Sequence, residues 1–309
     1  MTLRVLITGS SGFGGHFLAR EACANGAMVY GLSRRGDAPT DTLPLAVDLA
    51  DAHATAAAVQ QAAPEYIFHL AAQTPASVPG NSDEAWLTVN ALTTYNLLEA
   101  ARLYARDARI VIVSSSAVYG HVAAADMPIA ELQPLRPTTM YGVSKATQEL
   151  LATRYVAELG RATMGAGPST QSGPGQPAGW LISMLARQVI RIAAGLEPPV
   201  VRMRHRATSR DFTDIRDTTR ALWALAGHGT PGEVYNICSG VATPIGMLAE
   251  RLLAIAGVAA TIETTGGAPA PGDILVQVGD AARLTAATGW RPALSLDTSL
   301  ADLLGAMHP

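Results

Sequence analysis

Short apolar runs alternate with segments of helical periodicity through the first half of the chain. The run at residues 110–113 has no polar alternation, which is typical of a strand buried on both faces. Strands that alternate with helices predict an α/β fold built on a doubly wound parallel sheet. The predicted strands are residues 3–8, 28–32, 43–47, 66–70 and 110–113, and the predicted helices are 12–25, 51–63, 83–105 and 141–159.

The second half of the chain begins with a change in composition. Residues 161–179 are dominated by Gly, Pro, Ser and Thr, which predicts a loop. We predict a first domain over residues 1–160, to which residues 211–237 return, and a smaller α/β domain made of residues 161–210 and 238–309. The later elements predicted are helices at 180–194, 214–226 and 244–256, and a strand at 233–237.

Composition and charge narrow the classes of function. Of the 309 residues, 49% are hydrophobic and 15% are charged, which excludes a disordered chain. The net charge of −3 and the absence of a polybasic run argue against a nucleic-acid partner and a membrane surface. Cys23 and Cys238 lie far apart, and the seven histidines show no metal-ligand spacing. We therefore expect a protein of the reducing cytoplasm with no metal site and no signal peptide.

A glycine-rich turn follows the first predicted strand. Its sequence, GSSGFGG at residues 9–15, opens directly into the first predicted helix. Glycine lets the backbone approach a ligand closely, and the free amides of a helix N-terminus bind phosphate groups. Strand, glycines and helix in this order predict a Rossmann-like site for the pyrophosphate of a dinucleotide. The predicted contacts in this turn are Gly9, Ser11, Gly12, Phe13 and Gly15.

The end of the second strand indicates which dinucleotide is bound. Sites for NAD place an acid there, whereas arginine accommodates a 2′-phosphate. This chain has Ser33, Arg34 and Arg35 at that point, and Asp37 comes slightly late. The pattern favours NADP(H), with NAD(H) as the alternative. Asp48, after the third apolar run, is interpreted either as a contact to the adenine or as a helix N-cap.

Ligands of parallel sheets bind beyond the carboxyl ends of the strands. Ser115 and Ser116 follow the strand at 110–113, and a hydroxyl there can hydrogen-bond a carbonyl oxygen that gains negative charge. The alternative role for these serines is polar capping of the strand end. Further cofactor contacts are expected just after the apolar runs, at Leu49, Leu70, Ala71, Ala72, Gln73 and Ser114.

Tyr141 and Lys145 lie four residues apart in a predicted helix, and therefore on one face of it. A free tyrosine has a pKa of about 10, and a nearby ammonium group lowers that pKa. The pair is thus suited to exchange a proton with a carbonyl oxygen, and both residues are also expected to contact the cofactor. The chain has 22 basic residues, and Lys145 is its single lysine. A general bias toward arginine does not explain this exception.

Five motifs together resemble the extended short-chain dehydrogenase/reductase family. They are GSSGFGG, LAA at residues 70–72, SSSAVYG at 114–120, YGVSK at 141–145 and RDFTDIRD at 210–217. The resemblance implies an enzyme that acts on nucleotide sugars, with Ser115, Tyr141 and Lys145 as its catalytic residues. It also implies a homodimer formed through the helices near residues 93–106 and 144–159. Within the family, the chain looks most like the GDP-4-keto-6-deoxy-mannose reductases.

One position separates the reactions of this family. The resemblance implies that a dehydratase carries a glutamate base two residues before the tyrosine of the YG pair, and Ala117 stands there. The sequence therefore favours NADP(H)-dependent reduction of the C4 ketone of a nucleotide-linked 4-keto-6-deoxy sugar over 4,6-dehydration. A nucleotide-sugar 4-epimerase needs the same groups and is the first alternative. A cofactor-binding protein with little catalysis is the second.

The substrate half departs from the family pattern. Residues 167–170 read GPST where relatives carry an R-x-F-N pattern, and Ala270 precedes Pro271 where relatives carry arginine. We expect Ser115, Ser116, Arg210 and Arg283 to contact the substrate, the two arginines as replacements for the missing charge.

Overall fold

The computed structural model describes residues 2–74, 83–267 and 273–308. Its strands are β1 (Arg4–Thr8), β2 (Met28–Ser33), β3 (Leu43–Ala46), β4 (Tyr66–His69), β5 (Arg109–Val113), β6 (Thr163–Pro168), β7 (Thr170–Ser172), β8 (Val200–Met203), β9 (Ser209–Asp214), β10 (Val234–Ile237), β11 (Ala242–Pro244), β12 (Thr261–Thr264) and β13 (Val276–Gln277). Within the described residues, seven parallel strands form a central sheet in the order β10-β6-β5-β4-β1-β2-β3. This sheet confirms the predicted doubly wound α/β fold.

Helices cover both faces of the central sheet. The described helices of the whole molecule are α1 (Phe13–Ala24), α2 (Ala52–Ala62), α3 (Asp83–Tyr104), α4 (Met140–Leu159), α5 (Leu181–Ala193), α6 (Ile215–His228), α7 (Ile245–Ala256), α8 (Ala282–Thr288) and α9 (Leu296–Gly305). Val5 and Ile7 of β1 pack against α1 and α6, whereas Leu6 packs with α2, α3 and α4 on the opposite face. Successive side chains of a strand point to opposite faces, so a strand covered on both sides is apolar throughout.

The loop predicted over residues 161–179 is wrong. β6 lies inside the central sheet between β5 and β10, and all six of its residues are buried. Its small residues caused the error, because Gly and Pro usually mark turns. In this sheet they make room for the neighbouring strand: a Cβ added to Gly165 would lie 3.0 Å from a methyl group of Val234. Because β6 needs small residues for close contact with its neighbouring strand, its composition is similar to that of a loop.

The remaining strands and helices build a smaller body beside the carboxyl ends of the central sheet. β11, β9 and β13 form one sheet, which β7 joins through β9, and β12 pairs with β8. Helices α5, α7 and α9 enclose an apolar core that includes Leu185, Leu248 and Leu300. β10 lies in the central sheet, although the chain around it contributes to this second body. The division into two domains stays a prediction.

None of the described helices is both long enough and apolar enough to cross a membrane.

Candidate active site

The glycine turn has the geometry that close approach to a ligand requires. Gly9 has a φ of +70°, and a Cβ added there would lie 2.8 Å from the amide nitrogen of Ala71. A Cβ on Gly15 would lie 2.6 Å from the carbonyl oxygen of Ser10. Gly12 is the N-cap of α1, and none of the described side chains caps that helix. The first-turn amides are therefore left for an anion, which is the fit that a dinucleotide pyrophosphate needs.

A cavity of about 610 Å³ opens at the carboxyl ends of the central strands, beside this turn. Its volume lies in the range usual for small-molecule and cofactor sites. Among the described residues that line it, none carries a carboxylate. The predicted site residues that line the cavity are Gly9, Gly12, Phe13, Gly15, Leu70, Ala72, Ser114, Ser115, Ser116, Tyr141 and Lys145.

Helix α4 brings Tyr141 to Ser115. The hydroxyl of Thr139 caps the helix by accepting a hydrogen bond from the amide of Gly142 at 3.1 Å. Gly142 allows close contact with the short helix Ser116–Val118, since a Cβ there would lie 2.7 Å from the carbonyl oxygen of Ala117. Burial raises the pKa of the Tyr141 phenol, and a hydrogen bond with the Ser115 side chain opposes that rise. The two hydroxyl groups thus face the cavity together.

Lys145 is buried one turn after Tyr141 on α4. Its side chain is 3% exposed, and its Nζ donates a hydrogen bond to the carbonyl oxygen of Val113 at 2.9 Å. Burial lowers the pKa of the ammonium group to about 7, while the nearby Glu149 carboxylate acts in the opposite direction. Burial therefore destabilises the charged form of the chain's single lysine, and ionisable groups in such surroundings are common at functional sites.

The ribose-side residues lie at the ends of β2 and β3, outside the cavity lining. The Ser33 hydroxyl is buried without a hydrogen-bond partner in the described part of the chain, which suits a site completed by a ligand. Arg35 pairs with Asp37 at 2.8 Å, whereas Arg34 is exposed and makes no ion pair with any described residue. Ser11, Leu49, Ala71 and Gln73 also fall outside the lining.

Asp48 is not the N-cap of α2. The cap is Asp51, whose carboxylate accepts hydrogen bonds from the amides of His53 and Ala54. Asp48 is exposed and accepts a hydrogen bond from the amide of Ala50 at 3.0 Å. Of the two roles considered for Asp48, only contact with the adenine stays a prediction.

The predicted substrate residues divide into two groups. Ser116 lines the cavity, and its carbonyl oxygen accepts a hydrogen bond from Gln277 Nε2 at 2.9 Å. Arg210 is partly buried outside the lining and donates to the carbonyl oxygen of Ser209 at 2.8 Å. Arg283 pairs with Glu131 and Glu233, also outside the lining. Ala270 and Pro271 lie outside the described residues.

Sequence reasoning missed one wall of the cavity. Pro168, Ser169, Thr170 and Gln171, at the end of β6 and the start of β7, line it. Trp180 lines it too and contacts the Phe13 ring edge-on, with ring centroids 5.9 Å apart. Recognition of β6 as a strand would have found most of these residues, because they follow its carboxyl end.

Residues 5–238 match the NAD dependent epimerase/dehydratase family. The chain is 33% identical over 307 residues to a GDP-6-deoxy-D-mannose reductase from Pseudomonas aeruginosa, with 98% of this chain and 97% of the relative covered. The chain belongs to this family, the extended short-chain dehydrogenases/reductases. Family and relative together identify an NAD(P)-dependent oxidoreductase of the short-chain type.

Two solved structures extend the likeness to the fold. The structure of RMD from Pseudomonas aeruginosa with NADPH has a TM-score of 0.87, is 31% identical and covers 98% of each chain. The UDP-glucose 4-epimerase of Thermus thermophilus with NAD has a TM-score of 0.86 at 26% identity, again over 98% of each chain. Of these two structural neighbours, one was therefore solved with NADPH and the other with NAD.

Proposed function

We propose that this protein reduces the C4 ketone of a GDP-linked 4-keto-6-deoxy-mannose, with NADPH as the hydride source. The observation that carries the proposal is the meeting of Ser115, Tyr141 and Lys145 with the glycine turn around one cavity. The likeness to a GDP-6-deoxy-D-mannose reductase over nearly the whole chain supports the choice of sugar.

The three side chains have separate tasks at the ketone. Ser115 donates a hydrogen bond to the ketone oxygen and orients it. Tyr141 donates its phenolic proton to that oxygen as it becomes an alkoxide. Lys145 lies one turn after Tyr141 on α4, and its ammonium form favours the phenolate that remains. Bound nicotinamide supplies the hydride for C4. Solvent then returns a proton to Tyr141, so the product alcohol carries one hydride and one proton.

Dehydration is disfavoured on two grounds. A 4,6-dehydratase needs a carboxylate base beside the sugar to remove the proton from C5. Ala117 occupies the position where the family carries that base, and no described residue of the cavity lining is acidic. The buried carboxylate of Asp211 lies outside this lining, and its oxygens accept hydrogen bonds from Ser239 and Gly240.

An NADPH oxidation assay with GDP-4-keto-6-deoxy-mannose tests the proposal. We expect loss of NADPH absorbance together with formation of the reduced sugar nucleotide. Interconversion of nucleotide sugars without added cofactor would instead identify a 4-epimerase, the activity named for one structural neighbour. NADPH binding without turnover of any nucleotide sugar would identify a binding protein and overturn the proposal.

We propose NADPH over NADH because of Arg34. Its guanidinium is exposed at the end of β2 without an ion pair among described residues, whereas Asp37 already engages Arg35. Arg34→Ala should weaken NADPH binding about tenfold and leave NADH binding unchanged, since the lost contact is to the 2′-phosphate alone. Calorimetric titration of the variant with each cofactor measures the two affinities. Equal effects of Arg34→Ala on the two cofactors would refute the assignment.

A homodimer through α3 and α4 is the proposed assembly, in a reducing cytoplasm that keeps both cysteines free. Leu92, Tyr95 and Leu103 leave an exposed apolar stripe along α3, and Leu150 is 64% exposed on α4. Substitution of both Tyr95 and Leu150 by Arg should give a monomer in light scattering, because the stripe would then carry charge. Leu196→Arg, at an equally exposed site elsewhere, should not. A monomeric wild type would refute the dimer.

A further inference from the structure

His69, the last residue of β4, is fully buried between two threonines. Its Nδ1 lies 2.8 Å from the hydroxyl of Thr8, the last residue of β1. Its Nε2 lies 2.9 Å from the hydroxyl of Thr94 on α3. This histidine belongs neither to the glycine turn nor to the group formed by Ser115, Tyr141 and Lys145.

The hydrogen bonds around the ring determine its protonation. Burial, with a smaller contribution from Lys145, lowers the pKa of His69 to about 3, so the ring is neutral and has one N–H. The Thr94 hydroxyl donates its single proton to the carbonyl oxygen of Asn90 at 2.8 Å. It must therefore accept from His69, and the N–H is on Nε2. The Thr8 hydroxyl then donates to Nδ1 and accepts from the amide of Ala71 at 3.2 Å.

Both ends of this chain of hydrogen bonds reach the active site. Thr8 immediately precedes Gly9, and Ala71 lies between two residues of the cavity lining. On the other side, Thr94 accepts a second hydrogen bond from Gln148 Nε2 at 2.5 Å. Gln148 is on α4, one turn after Lys145. The ring is thus the link between the strand end that carries the glycine turn and the helix that carries Tyr141 and Lys145.

We propose that His69 is a positioning residue, which holds the start of the glycine turn and helix α4 in fixed relation through Thr8 on one side and Thr94 on the other. The effect on turnover rests on the proposed function, whereas the effects on cofactor binding and on the helix do not. His69 is buried and is not among the described residues that line the cavity, so it acts only through its neighbours.

Two variants separate the two links. His69→Asn keeps an acceptor for Thr8 near the position of Nδ1 and removes the donor to Thr94. His69→Gln keeps a donor near the position of Nε2 and removes the acceptor for Thr8. We expect His69→Asn to lower kcat about tenfold with unchanged NADPH binding, because a buried hydrogen bond to α4 is lost. His69→Gln should weaken NADPH binding about tenfold and leave kcat at saturating NADPH unchanged.

Gln148→Met is the matched control on the helix side. It breaks the same connection to Thr94 from α4, so adding it to His69→Asn should cause little further loss of kcat. Hydrogen exchange of the peptide over residues 141–148 supplies a readout without substrate, and His69→Asn should exchange faster there than His69→Gln. If the wild type fails to reduce the proposed sugar, this readout and NADPH binding still test His69.

Nitrogen-15 NMR of the wild-type ring tests the premise without any variant. The Nε2–H tautomer should persist unchanged between about pH 5 and 8. The proposal is overturned if the ring titrates in that range, if it has the Nδ1–H tautomer, or if both variants change kcat and NADPH binding equally. Loss of thermal stability alone in both variants would likewise reduce His69 to an ordinary core residue.

Discussion

The two walls of the candidate active-site cavity differ in the chemical groups that line them. The first, called the cofactor wall for its proposed role, combines the glycine-rich turn with a phenol and a buried ammonium group, at Gly9, Tyr141 and Lys145. The second, called the neutral wall, has only neutral groups, at Pro168, Ser169, Thr170, Gln171, Pro177 and Trp180. We expect the first wall to supply charge and proton transfer, which need burial and fixed geometry. We expect the second to supply shape and single hydrogen bonds, so substitutions there should reduce activity much less.

Tyr141→Phe should have the largest effect, because it removes the proton donor from the cofactor wall. We expect kcat to fall about 10³-fold while NADPH binding stays unchanged. Steady-state kinetics and calorimetric titration give the two quantities. Tyr95→Phe, which removes an exposed phenol on α3, is the control and should retain full activity. Unchanged turnover in Tyr141→Phe would mean that another group donates the proton.

Lys145→Met should abolish most activity and yet stabilise the fold. The folded-state pKa of Lys145 is lowered from 10.5 to about 7, so the unfolded chain binds more protons between those pH values. Wild-type stability therefore rises with pH across that window. The variant lacks this cost, and its free energy of unfolding should exceed that of the wild type by on the order of 4 kcal/mol near pH 7.

The stability difference for Lys145→Met should shrink as the pH approaches 10.5. Urea denaturation at several pH values across the window measures it. Leu150→Met, an exposed change on the same helix, should follow the wild-type dependence on pH. Parallel curves for Lys145→Met and wild type would show that the ammonium group is not destabilised by burial.

Gly15→Ala tests whether the glycine turn works through close backbone approach. The added Cβ would press on the carbonyl oxygen of Ser10, and overpacking of this kind costs about 2 kcal/mol. If the turn moves to relieve this contact, its amides no longer fit the ligand. The same free energy is then lost from binding, and the affinity for NADPH falls about 30-fold. Gly305→Ala, which has open space around the added methyl at the end of α9, should bind NADPH normally. Normal binding by Gly15→Ala would remove the turn from the site.

Thr170→Val should give the smallest effect and completes the comparison between the walls. The substitution keeps the volume and removes one hydroxyl group from the neutral wall. We expect KM for the sugar nucleotide to rise about fivefold, with kcat and NADPH binding unchanged. The control Thr170→Ser keeps the hydroxyl group and should retain the wild-type KM. A loss of kcat as large as that of Tyr141→Phe would contradict the division of tasks.

The sequence located more of the residues that line the cofactor wall than of those that line the neutral wall. The glycine turn and the Tyr141–Lys145 pair depend on neighbours within one turn of chain, so spacing alone located them. β6 was missed because its Gly and Pro residues serve contact with β10, which lies far away in sequence. Arg283 was expected at the substrate, yet Glu131 and Glu233, both distant in sequence, engage its guanidinium.

The sequence by itself determined the order of strands and helices up to residue 159, the position of the glycine turn between β1 and α1, and the pairing of a tyrosine with the single lysine. Each of these follows from local periodicity and the backbone freedom of glycine. Only the tertiary structure decided that Lys145 is buried, that no described residue of the cavity lining is acidic and that His69 connects two threonines from different elements. Desolvation and hydrogen-bond partners depend on residues brought together from distant parts of the chain, and no local pattern records them.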